Sequence, residues 1–201
     1  MVNNPGISRR LFVGTGLAAA AVFGAAPAWA LNKDQARAMI DKAVAEINRV
    51  IGSGQSEAQM YPAFEKIFAQ YADVSTIAIS ALGPAARQAS EAQKTAFTRA
   101  FQGYISRKYG RRFREFIGGR IEVTDARPVK SYFEVISTAH LRGESPFEVR
   151  WHVAERGGRN LFFNIIIEGV NMLASERTEI GALLDQRRGD LDQLIADLAK
   201  L

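Results

Sequence analysis

Apolar positions recur every three to four residues through the first part of the chain and every two residues through the next. Residues 33–51 place Ala36, Met39, Ile40, Ala43, Ile47, Val50 and Ile51 at helical spacing, and Gly52-Ser53-Gly54 ends the pattern. A second helix is predicted from Glu57 to Tyr71, with Phe64, Ile67, Phe68 and Tyr71 on one stripe, and a third from Val74 to Leu82, stopped by Gly83-Pro84. Ser90 followed by Gln93 has the spacing of a capping box. It opens a long helix carrying Phe97, Phe101, Tyr104, Ile105 and Lys108, continuing through Tyr109, Phe113 and Phe116 to Gly118-Gly119.

After Gly119 the period shortens to two and β-branched and aromatic residues dominate, so strands are predicted at 120–125, 129–142, 147–155 and 161–168. The separators are Asp125-Ala126-Arg127-Pro128, Gly143-Glu144-Ser145-Pro146 and Gly157-Gly158, short enough for an antiparallel meander. Phe133, Val135, Ser137, Ala139 and Leu141 fall on one face, and Glu134, Thr138, His140 and Arg142 on the other. Phe147, Val149, Trp151 and Val153 likewise oppose Glu148, Arg150 and His152. One face should be apolar and the other wet. Helices are predicted again at 173–185 and 190–199. The fold class expected is α+β: N-terminal helices on a curved antiparallel four-stranded sheet, C-terminal helices, and an apolar cavity between the layers, as in nuclear-transport-factor-like and cystatin-like folds. Periodicity leaves open whether side chains or a ligand fill that space.

The first thirty residues read differently. A basic head is followed by an apolar run from Leu11 to Ala26 and by Ala28-Trp29-Ala30, the three parts of a cleavable export signal. Ser8-Arg9-Arg10-Leu11-Phe12-Val13 resembles the twin-arginine signal, with an ordinary secretory signal as the alternative. The run is too short for a spanning helix, which needs about 20 residues. The expectation is a signal peptide over residues 1–30, a mature chain from near Leu31 forming one domain, and a periplasmic location.

Lys and Arg number 26 against 21 Asp and Glu, a net +5, and removal of Arg9 and Arg10 leaves 24 − 21 = +3. That is far from the clustered basic stripe that nucleic acid requires, so no nucleic-acid partner is expected. Cysteine is absent, which excludes disulfides, thiolate metal sites and Cys nucleophiles. The two histidines, His140 and His152, lie on the polar strand face. If the 143–146 turn pairs Leu141 with Phe147, they sit opposite Glu148 and Ile136 and form no metal pair. No nucleophile elbow, metalloprotease motif, P-loop or dinucleotide fingerprint occurs, so neither catalysis nor a cofactor or metal is expected. Glu168, at the end of a strand, is the carboxylate to watch, as a base or as a structural anchor. A docking protein without catalytic or carrier activity is a third reading.

Two stretches carry a family resemblance. The first is Tyr71-Ala72-Asp73-Val74, Ile77-Ala78, Leu82-Gly83, then Gln93, Phe97 and Phe101, leading into Tyr104 and Tyr109. The second is 162–172 (FFNIIIEGVNM), followed by Arg177. In order and spacing over roughly residues 35–200 the chain resembles the MlaC, or toluene-tolerance, family. Ala86 or Arg87 and Asn160 stand where the family often has Trp, and Asn164 and Asn171 where it has Asp and Ser; a hopanoid-associated branch would carry a different lipid. The resemblance implies a soluble, non-enzymatic periplasmic carrier, monomeric and only transiently near membranes. Its bound ligand would be a phospholipid, moved between an inner-membrane ABC transporter complex and an outer-membrane lipoprotein complex.

Such a carrier needs a deep apolar pocket, because each methylene left in water costs about 0.8 kcal/mol. The helices offer Phe68, Ile77, Phe97, Phe101, Tyr104, Ile105 and Tyr109 as lipid-binding walls, and the strands offer Val135, Trp151, Val153, Ile165 and Ile167. Each also suits an ordinary core position. Tyr104, Tyr109 and Trp151 suit a pocket mouth, being apolar rings with a polar tip. Arg107, Lys108, Arg111, Arg112 and Arg114 form a basic run, either a solvated face or an attraction for an anionic head group.

Overall fold

The computed structural model describes residues 31–112 and 117–201. The signal-peptide reading of 1–30, together with Phe113, Arg114 and Phe116, lies outside the described residues, as do the side chains of Arg111 and Arg112.

Among the described residues six α-helices and five strands follow one another: α1 (Lys33–Ile51), α2 (Glu57–Tyr71), α3 (Val74–Leu82), α4 (Glu91–Arg112), β1 (Arg120–Val129), β2 (Tyr132–His140), β3 (Phe147–Arg156), β4 (Arg159–Ile167), β5 (Val170–Asn171), α5 (Met172–Gln186) and α6 (Leu191–Leu198). The strands form one antiparallel sheet in sequence order. The helices begin where caps supply the donors that first turns leave unpaired. Asn32 and Gln35 form a capping box at α1, and Ser90 and Gln93 form one at α4. Asp73 Oδ1 accepts from Thr76 N at α3, while its own N–H donates to Phe162 O at 2.8 Å, so α3 starts from a point pinned to β4.

Helix α1 lies on the inner face of the sheet and closes its first edge. Asn48 donates to Ile121 O and accepts from Ile121 N at 3.0 and 3.1 Å, and Arg37 donates to Val123 O and Thr124 O. Backbone groups of an edge strand that would template aggregation are thereby occupied. Tyr71 Oη donates to Glu46 at 2.7 Å, tying α2 to α1; burial and this carboxylate push its pKa up to about 12.

Three expectations are corrected. The sheet has five strands, because Val170–Asn171 doubles back on β4 through Glu168-Gly169. Asp125-Ala126-Arg127-Pro128 is strand, paired with Ile136 to Phe133, and the chain turns at Lys130-Ser131 instead. β1 is an edge strand, where a proline costs no ladder bond, and a bulge between Val123 and Asp125 takes up the extra residue. The β2–β3 register is shifted by two residues: Phe147 pairs with Ala139, Glu148 with Thr138 and His152 with Glu134. A shift of two leaves every side chain on its predicted face, but it changes the neighbours of both histidines.

The inner face is apolar as expected. Its one hydrophilic side chain in mid-sheet, Ser137, accepts from Trp151 Nε1 at 2.9 Å and donates to Val149 O at 3.1 Å, so nothing there is left unpaired. The outer face is not simply wet. Glu134 is 4% and His152 9% exposed, under Arg127, Arg150, Tyr132 and Phe163. His152 Nε2 lies 3.4 Å from Glu134 Oε2 and its ring packs against Tyr132 in a tilted arrangement, 4.6 Å between centroids.

Two predictions follow from this packing. Phe97 is fully buried and stacked on Phe101 at 5.7 Å; Phe97→Ala should lower the unfolding free energy by about 3–5 kcal/mol in urea titration, and a loss near zero would contradict its place in the core. Burial lowers the pKa of His152, and Glu134 only partly offsets this. An unfolded histidine takes up its proton near 6.5, while the folded one lags behind, so the folded state loses stability as pH falls through about 6.5. Glu179 and Asp125, whose values are lowered, act only within and below the ordinary carboxylate range. The urea midpoint should therefore drop between about pH 7 and 5.5, and His152→Gln should flatten that drop; an unchanged slope would refute the assignment.

Candidate functional site

Helix α1 runs over the sheet nearest β1, α2, α3 and α5 pack on β4, and α4 packs against α2 and α3. Between them lies a cavity of about 840 Å³. Its floor is Val149, Trp151, Phe162, Ile165 and Ile167, and its walls include Ala43 and Ile47 of α1, Phe64, Ile67 and Phe68 of α2, Ile77 of α3 and Phe101 and Ile105 of α4. Phe162 packs its ring edge-on to Trp151 at 5.4 Å and tilts against Phe68 at 6.1 Å, giving the floor a rigid aromatic corner. The lining changes from buried residues to exposed ones towards Glu144, Glu168, Val170, Ser175 and Glu179, which mark the mouth.

Of the twelve wall residues read from the sequence, Phe68, Ile77, Phe101, Ile105, Tyr109, Trp151, Ile165 and Ile167 line this cavity. Phe97, Tyr104, Val135 and Val153 do not. Val135 and Val153 lie towards the β2 start, away from the mouth, and are fully buried; Phe97 is buried against Phe101. Tyr104 is buried beside the cavity with its hydroxyl turned to Glu179.

The seam between α4 and α5 is polar. Lys108 Nζ donates to Glu176 Oε1 at 2.7 Å and to Glu179 Oε2, Tyr109 Oη donates to Glu176 Oε1, and Tyr104 Oη donates to Glu179 Oε1. Burial and the carboxylates raise both tyrosines well above the ordinary phenol value. Burial alone would lower Lys108, but its two carboxylate partners outweigh that and hold it above the usual lysine value. Burial would raise Glu179, and the bonds from Lys108 and Tyr104 reverse the sign. Sequence reasoning missed Glu176 and Glu179; the available signal was their i,i+3 spacing, which puts two acids on one helix face. It also read the basic run too simply. Lys108 is held by two carboxylates, and Arg107 donates to Leu198 O at 2.7 Å near the end of α6.

The residues weighed for catalysis are dispersed. Glu168 is exposed in the β4–β5 turn at φ +49°, and His152 lies on the opposite face of the sheet from the cavity. Among the described residues no group of His, Asp and Glu could hold a metal ion, and no helix is long and apolar enough to cross a membrane.

The motif residues have structural work. Gly83, at φ +63°, would bring a Cβ within 3.0 Å of Arg177 Nε, so the Leu82-Gly83 step and the arginine downstream of β5 are in contact, joining α3 to α5. Asn171 caps α5 through Ala174 N at 3.1 Å, a role Asn fills as well as Ser. Asn164 Oδ1 accepts from Ile165 N and Leu173 N and fixes the approach of α5 to β4.

The sequence model described as "MlaC protein" matches residues 37–200. Among solved structures, the fold is similar to that of a phospholipid-binding protein from Ralstonia solanacearum determined in complex with a phospholipid. The TM-score is 0.68 at 19% sequence identity, covering 82% of this chain and 98% of that one. With 164 residues matched from Arg37 to Lys200, the chain belongs to the MlaC family.

Proposed function

We propose that this protein is a periplasmic phospholipid carrier, with the acyl tails in the cavity and the head group at its mouth. The observation that carries the reading is the 840 Å³ cavity itself, lined mainly by apolar side chains and opening among the exposed residues Glu144, Glu168, Ser175 and Glu179. Two acyl chains of about fifteen methylenes each represent on the order of 25 kcal/mol of transfer free energy. No surface patch shields that much, and a walled pocket does. The carrier is exported with cleavage near Ala30, leaving one lipid-binding domain, and it exchanges lipid between an inner-membrane ABC transporter complex and an outer-membrane lipoprotein complex. The family membership and the phospholipid in the Ralstonia solanacearum protein support this reading.

Protein gently purified from the periplasm should carry lipid detectable by native mass spectrometry. Ile167→Trp and Ile105→Trp, which fill the cavity from floor and wall, should lower the bound lipid several-fold while keeping the native circular dichroism spectrum. Protein that arrives lipid-free and takes up none from liposomes would overturn the proposal. Replacing Arg9 and Arg10 by Lys should leave uncleaved precursor in the cytoplasm, seen by immunoblotting of cell fractions; undiminished export would exclude the twin-arginine route.

A further inference from the structure

The cavity has walls of two kinds. On most sides they are elements packed directly on one another: α1 on β1, α2 on α4, α3 on α5. Helices α4 and α5 are not closely packed, and the wall between them is made by side chains. Tyr104, Lys108 and Tyr109 reach across from α4, and Glu176 and Glu179 reach back from α5. Lys108 and Glu179 line the cavity and also touch solvent, their side chains being 28% and 46% exposed, so the wall there is a single layer of side chains.

The two ends of this seam differ. At one end α6 straps the helices together. Arg107 donates to Leu198 O at 2.7 Å and Gln93 to Asp192 Oδ1 at 3.1 Å, tying α6 to α4, while Arg187 Nε donates to Asp197 Oδ2 at 2.9 Å, tying it to the end of α5. At the other end the seam runs into the mouth, where Ser175 and Glu179 are already exposed. The helices are antiparallel across it, Tyr104 meeting Glu179 and Tyr109 meeting Glu176. Any parting therefore starts at the mouth and lengthens the opening into a slot. Parting two apolar faces exposes both to water, whereas phenol, ammonium and carboxylate groups trade protein partners for water. Of the cavity's walls, this one opens at the least cost.

We infer that the α4–α5 seam is a side gate: the helices part from the mouth end while α6 holds their far ends, and the lipid tails enter and leave sideways through the slot. This rests on the carrier reading and assigns the route its ligand takes. The bonds of Lys108, Tyr104 and Tyr109 to the two glutamates are the latch. They set how fast lipid exchanges, while the apolar lining sets how tightly it is held.

The chain has no cysteine, so Lys108→Cys/Glu179→Cys introduces a unique pair, to be bridged by a reducible bifunctional thiol reagent long enough to replace the two side chains. The protein is loaded with a fluorescent diacyl phospholipid, mixed with excess unlabelled vesicles, and the exit of label is timed. The bridged form should release lipid about tenfold more slowly than the unaltered protein, and reduction of the bridge should make release faster than in the unaltered protein, because the latch is then missing. Arg37→Cys/Thr124→Cys, bridged in the same way between α1 and β1, should leave the rate unchanged. Tyr104→Phe/Tyr109→Phe, which keeps the rings and all charges, is the second variant and should speed release several-fold. Release from the bridged seam at the unaltered rate, equal slowing by both bridges, or a phenylalanine variant that melts earlier with unchanged release overturns the gate and leaves the carrier reading standing. Failure of the unaltered protein to load any lipid overturns the carrier reading and the gate with it.

Discussion

The polar seam between α4 and α5 is the constraint on which the cavity depends. Helix α4 packs against α2 and α6, and α5 packs against α3 and β4, so each has its own support. Between them the gap is crossed by long side chains, Tyr104, Lys108 and Tyr109 from one side and Glu176 and Glu179 from the other. If the helices closed directly on one another, these groups would be driven into a dry interior at a cost that their mutual pairing does not remove. If they parted fully, the phenols and carboxylates would lose their partners. The seam therefore sets a spacing, and the apolar volume behind it persists because the surrounding elements are held elsewhere: α1 to β1 by Asn48 and Arg37, α3 to β4 by Asp73, and α5 to β4 by Asn164.

This arrangement separates a rigid floor from a more adaptable rim. Trp151, with its indole N–H bonded to Ser137, and Phe162 lie on paired β-strands, β3 and β4. Met172, Leu173 and Val170 line the mouth on a two-residue strand and the first turn of a helix. A ligand with flexible tails is accommodated best where the deep end is fixed and the entrance consists of unbranched or partly exposed side chains that can change rotamer.

Much of the architecture was legible because the relevant signals are local. The capping box at Ser90, the glycine stop at Gly83 and the period-two alternation from Arg120 onwards depend on neighbours within a few residues. The errors arose where a local signal meets a tertiary circumstance. Pro128 looks like a turn residue and is a strand residue because β1 happens to be an edge. The β2–β3 register was unreadable because the loop uses six residues, 141–146, where four would also close a hairpin. At the site, apolar wall residues were recognisable as inward-facing, but which of them face empty space was not. Val135 and Trp151 are paired neighbours on the same face, and only Trp151 reaches the cavity. Glu176 and Glu179 were missed for the opposite reason: acids on a helix read as solvent-facing until α4 is set beside them.

The two faces of the sheet are coupled by its bulges. One extra residue in β1 and another in β4, where His152 pairs with Asn164 and Val153 with Phe162, leave Thr124 and Phe163 without partners in the ladder. Such insertions bend a strand and increase its twist, which makes a sheet concave enough to hold a cavity on one side. The β4 bulge also splits two consecutive aromatics between faces. Phe162 turns inward to Trp151 and Phe68, while Phe163 turns outward against His152 and Tyr132. The same irregularity thus completes the cavity floor and roofs the buried Glu134–His152 pair, and that pair links β2 to β3 behind the floor. The outer cluster needs no catalytic role to account for a buried histidine beside a buried carboxylate: it braces the curved strands on the face opposite the cavity.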